Sequence, residues 1–186
     1  MRRPAPAHAD RQGRTVLKAL SYVVPILSIA VLTVIAALPW GLPTEERFFL
    51  PMLPVVAIHY WALRRPQAVP EWAIFMAGLL LDVFTHGPLG YWPLIYLAAY
   101  TLGVLGQDTG RRGKLVRLAN FAAALAAVAA LGWAVASLYF LEFADWQPYV
   151  RGAGLAALAA IIIVPILHIL DAPYGPREDM SLTRGG

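Results

Sequence analysis

A chain of 186 residues that is 59% hydrophobic and only 14% charged, with a mean hydropathy of +0.61, is too apolar for an ordinary soluble domain. It has room for about six spans of roughly 20 residues with short loops, which leaves nothing over for a second folded domain. It contains no cysteine and so no disulfide, thiolate ligand or cysteine nucleophile, and its net charge of +4 comes from basic residues beside apolar runs, so anionic phospholipid rather than nucleic acid is the expected counter-charge.

Residues 1–18 combine Pro, Gly and charge without apolar periodicity and read as a basic, Pro-rich cytoplasmic tail. The apolar run at 19–39 is longer than the hydrophobic region of a signal peptide, so it reads as an uncleaved anchor. The second run, at 48–63, is short, and Pro51 and Pro54 make its first turns irregular. A five-span alternative makes that run re-entrant or interfacial. Its His59, Tyr60 and Trp61 fit an interfacial anchor, and His168 reads in the same way at the inner end of the last run. Runs at 69–86 and 88–106 form a hairpin, with Pro88 suited to the first turn of the fourth helix.

The last two runs, at 116–141 and 152–170, are rich in alanine and glycine, which lets helix backbones approach closely in lipid. That composition serves packing within the chain or a docking face for another membrane protein. Tyr91, Trp92, Trp146 and Tyr149 fit an outer aromatic belt, and residues 171–186 read as a second cytoplasmic tail. The expected fold is therefore all-α: a polytopic membrane helical bundle over 19–170, with about six spans.

Placement of lysine and arginine supports the six-span count, because these residues concentrate on the cytoplasmic side. With the N-terminus inside, Arg2, Arg3, Arg11, Arg14, Lys18, Arg64, Arg65, Arg111, Arg112, Lys114, Arg117, Arg177 and Arg184 all lie inside, leaving Arg47 and Arg151 outside. Both termini are then cytoplasmic.

Within the third run, Glu71, Gly78 and Asp82 share one helix stripe, with the two carboxylates about 16 Å apart along the axis. They are too distant to act as a paired acid and base. Glu71 sits at the inner boundary near Arg64 and Arg65, where a surface ion pair is expected. Asp82 lies inside the apolar run, where an unpaired carboxylate costs at least about 2.5 kcal/mol. A tight hairpin brings the free N–H groups that open the next helix back to it, so Asp82 is expected to staple the turn through that helix end or His86. The other reading has it facing a cavity or a partner helix.

The chain has no G-x-S-x-G, no H-E-x-x-H and no phosphate-binding glycine loop, and no catalytic residue, metal ligand or cofactor is expected. The segment "GLLLDVFTHGPLG" from Gly78 to Gly90 resembles the bacterial rod shape-determining protein MreD family. The "RRP" at 64–66 before it and the basic loop after it agree. The likeness spans most of the chain in topology but about 25 residues in sequence, and both tails depart from it. Gly78, Asp82, Leu89 and Gly90 match the family motif.

The resemblance implies a non-enzymatic component of the inner-membrane elongation complex that maintains rod shape. Its partners would be MreC, the MreB filament and peptidoglycan synthases, and its helical fold would be similar to that of the substrate-binding subunits of energy-coupling vitamin transporters. Arg111, Arg112, Lys114 and Arg117 form the cytoplasmic basic loop expected to meet the filament or anionic lipid. The rival function is the substrate-binding subunit of a small-solute transporter. Its polar candidates, Ser28, Thr33, Asp82, Thr101, Asn120 and Ser137, are scattered over separate helices.

Overall fold

The computed structural model describes residues 7–41, 43, 47–107 and 113–172, with side chains from residue 21 onward. Among the described residues the chain is all-helical: α1 (Ala7–Ala37), α2 (Phe49–Arg64), a 3-10 turn (Pro66–Ala68), α3 (Glu71–Thr85), α4 (Tyr91–Leu105), α5 (Lys114–Phe140) and α6 (Gln147–Asp171). The expected all-α class is thus observed, and α5 and α6 are long and apolar enough to cross a membrane. Helix α1 starts well inside the segment expected to be a tail, so that segment is helical from Ala7. Of the second expected tail, Asp171 belongs to α6, and residues 173–186 lie outside the described residues.

Helix α2 occupies the centre. It packs against α1, α4 and α6, and every residue from Pro51 to Ala62 is buried. A helix surrounded on all sides has no polar face, and this run forms one despite its short length and its two prolines. Pro51 falls in the first turn, where its missing N–H costs little, and Pro54 is accommodated inside the helix. The hydroxyl of Tyr96, on α4, donates to the Pro51 carbonyl at 3.0 Å.

The trio His59, Tyr60 and Trp61 is buried in this core rather than anchored at an interface. Trp61 donates its Nε1 proton to Ser28 Oγ on α1 at 2.8 Å, and the His59 ring lies 5.6 Å from that of Phe121 on α5. A core aromatic and an interfacial one have the same local signature, so the sequence alone did not separate them. Trp92 is likewise buried rather than part of a belt. Its ring lies 5.2 Å from Phe48, and Phe48 lies 4.5 Å from Tyr149.

Phe48 also explains two helix glycines. A Cβ on Gly132 of α5 would stand 3.0 Å from Phe48 Cζ, and one on Gly152 of α6 would stand 3.0 Å from the Phe48 backbone. The small residues of α5 and α6 therefore seat this ring inside the bundle. Other small residues of the pair line an open apolar groove of about 640 Å³ between them, with Trp133 and Trp146 at its sides.

Candidate functional site

The hairpin joining α3 to α4 is built from the residues singled out in the sequence. Helix α3 points Ile74, Gly78, Leu81 and Asp82 inward. A Cβ on Gly78 would lie 2.6 Å from Pro93 Cα and 2.7 Å from the Trp92 carbonyl carbon, a separation that real Cβ atoms do not show. Only glycine lets α3 press on the first turn of α4 at this point.

That approach carries the Asp82 carboxylate, one turn further along α3, to the start of α4. Gly90 donates its N–H to Oδ2 at 2.6 Å, and Trp92 donates its N–H to Oδ1 at 3.0 Å. Both oxygens thus satisfy N–H groups that a helix start leaves without intrahelical partners, and negative charge is favoured at that dipole end. The carboxylate is almost fully enclosed, with Asp82 1% exposed.

The turn differs from the expected one in its length. Helix α4 begins at Tyr91 rather than at Pro88, because His86 closes α3 in the left-handed region (φ 53°) and Gly90 precedes α4 at φ 94°. Glycine takes that second conformation without steric cost. Gly87 N–H returns to the Asp82 carbonyl at 3.1 Å, so Asp82 closes the turn through its backbone as well. Leu89 is the exception among the motif residues: its side chain is 74% exposed at the tip.

At the opposite end of the bundle the ion pairing differs from the expectation. Arg64 and Arg65 do not pair with Glu71. Their Nε atoms contact Asp171 Oδ2 at 2.8 Å and Oδ1 at 2.9 Å, respectively. One buried carboxylate at the end of α6 therefore holds both arginines at the end of α2. Helix α4 joins the same end, where Gln107 Nε2 donates to the Ala62 carbonyl at 3.1 Å and the Tyr100 hydroxyl to the Pro66 carbonyl at 3.2 Å. Lys114 and Arg117 open α5 with exposed side chains, while Arg111 and Arg112 lie outside the described residues. Sequence reasoning missed the Asp171 clamp, since its partners are 107 and 106 residues away and no local pattern links them.

The scattered polar residues do not gather into one site. Ser28 donates to the Pro25 carbonyl, Thr33 to the Ile29 carbonyl and Thr101 to the Leu97 carbonyl, while Ser137 Oγ accepts the Ala144 N–H. Among the described residues, His59 keeps both ring nitrogens and Asn120 its amide nitrogen buried without a well-formed hydrogen bond, on separate helices. Among the described residues no three His, Asp, Glu or Cys side chains assemble as a metal site. In comparisons with protein-family models, curated proteins and solved structures, nothing matches this chain.

Proposed function

We propose that this protein is a non-enzymatic, six-span scaffold of the bacterial inner membrane, an MreD-type component of the cell-wall elongation complex. The observation that carries the reading is the division of labour in the hairpin motif. Gly78, Asp82 and Gly90 are consumed in building the turn, whereas Leu89 packs against little of its own chain and remains available at the tip. A large apolar side chain on a braced turn suits a contact with a second protein, here the periplasmic partner MreC.

The membrane reading draws on the outward faces. The most apolar stretches of α5 and α6 are only 33% and 17% buried, the reverse of a soluble core helix. Exposed apolar side chains also recur at helical spacing on α1 (Val23, Leu27, Val31, Val34) and α3 (Trp72, Phe75, Met76, Leu80, Val83), an arrangement that lipid tolerates and water does not. Helices α2, α3 and α4, about 24, 22 and 22 Å long, fall short of the roughly 30 Å hydrocarbon core, and neighbours enclose much of the surface of α2 and α4. With the basic end inside, Arg111, Arg112, Lys114 and Arg117 face the cytoplasm, near anionic phospholipid, the MreB filament and the peptidoglycan synthases.

The transport reading is the weaker one, because the polar side chains it would use mostly bond within the chain. The test is in-cell crosslinking from a photoreactive residue at position 89 of a tagged copy, followed by identification of what co-purifies. A crosslink to MreC or to the periplasmic part of a peptidoglycan synthase supports the scaffold, with MreB expected only among the proteins that co-purify. An ATPase with its coupling membrane subunit makes the protein a transport component instead. In a separate Leu89→Ser copy, stability should stay within about 0.5 kcal/mol of the parent while the partner is lost. An unchanged partner yield removes Leu89 from the contact.

A further inference from the structure

Beyond the hairpin, the turn end of the bundle encloses a bowl of about 820 Å³, within the roughly 300–1,000 Å³ typical of small-molecule sites. Residues from the ends of all six helices and their connections line it. A third of its lining residues are aromatic, including Trp40, Phe48, Phe84, Tyr91, Phe140 and Tyr149.

The polar atoms of that wall are mostly turned back into the protein. Trp40 Nε1 donates to the Ile35 carbonyl at 2.7 Å, and the Tyr91 hydroxyl to the Gly132 carbonyl at 3.1 Å. Asp145, one of two charged residues in the lining, accepts the Gln147 N–H at 3.1 Å and so serves the start of α6. The other charged residue is Arg47, just before α2, which is exposed and forms no ion pair with Asp145. What faces a ligand is apolar ring surface, the Arg47 guanidinium and, apart from it, the second oxygen of the Asp145 carboxylate.

We propose that the bowl binds an amphiphile with an apolar body and a single anionic head, phosphate or carboxylate. The head sits on Arg47, whose forked donors match such an oxyanion, and the body lies against the rings of Phe84, Phe140 and Tyr149. If the membrane reading holds, the source is an outer-leaflet anionic lipid; the same chemistry also fits a water-soluble amphiphilic phosphate.

The test uses the full chain, delipidated in detergent and titrated separately with phosphatidylglycerol, phosphatidylcholine of the same acyl composition, and octyl phosphate. Bound species are counted by native mass spectrometry. One phosphatidylglycerol should be retained in preference to phosphatidylcholine, with roughly tenfold weaker retention in Arg47→Gln, the loss expected for a charge-assisted hydrogen bond. Ala144→Trp, which keeps the backbone bonds of that loop and fills space in the bowl, should also abolish retention at an unchanged unfolding temperature.

Arg47-dependent binding of octyl phosphate without retention of phosphatidylglycerol assigns the soluble source. Equal retention of the two lipids, or full retention in Arg47→Gln, overturns the proposal. A chain that stays soluble without detergent defeats the membrane reading alone, and the octyl phosphate titration then tests the bowl in buffer.

Discussion

Asp82 is held at both carboxylate oxygens, and Gly78 makes that reach possible. Replacing Asp82 with alanine leaves two enclosed N–H groups without an acceptor, so folded protein should lose about 2–4 kcal/mol. Thermal unfolding in detergent and abundance in the membrane read this out, and Asp82→Asn, which keeps one acceptor oxygen, should lose less. Normal abundance of the alanine variant with failed complementation would instead give the carboxylate a partner or ligand role. Gly78→Ala should cost about 1–3 kcal/mol by forcing α3 away from Pro93. An unchanged unfolding temperature would mean that the α3–α4 spacing has slack. These residues could be read from sequence because the hairpin is local: a carboxylate in an apolar run needs a donor, and the next helix start lies within reach. The position of His86 and Gly90 in the left-handed region was less legible, since Pro88 offered an equally reasonable helix start.

The two ends of the bundle are tied by different means, the turn end by a helix start capped from its neighbour and the basic end by charge. Asp171→Ala leaves two guanidinium groups, with side chains 38% and 18% exposed, without their shared anion. Because these arginines are partly open to solvent, the expected loss is about 1–3 kcal/mol, below that of a fully buried pair. A triple variant, Arg64→Met with Arg65→Met and Asp171→Leu, should recover most of it, again by thermal unfolding. A triple variant as unstable as the single one would show that the ends of α2 and α6 depend on packing rather than on charge. Helix α2 illustrates the limit of reading elements singly. Its 16 residues are apolar on every side, which in isolation is ambiguous between a short span, a re-entrant segment and a central helix.

For the molecule as a whole, the six-span reading makes a direct prediction, helped by the absence of native cysteine. Single cysteines placed at Leu89 and at Lys114 should respond differently to a membrane-impermeant maleimide in intact spheroplasts, with position 89 labelled and position 114 protected until the cells are opened. Labelling of both, or of neither, before opening would sink the model of a periplasmic hairpin tip and a cytoplasmic basic loop. The apolar excess, the six helices among the described residues, the rough bounds of α2 to α5 and the separation of basic residues from apolar runs were legible in the linear chain, because composition and run length are properties of neighbouring residues, whereas the start of α1 at Ala7 was not. The central position of α2, the seating of Phe48 between Gly132 and Gly152 and the pairing of Arg64 and Arg65 with Asp171 emerged only from the assembled bundle. In a bundle of apolar helices, side chains facing a neighbouring helix and those facing outward are similarly hydrophobic, so no periodic signal marks which face is inside. That choice rests on shape and on long-range contacts between helices, which no local stretch of sequence contains.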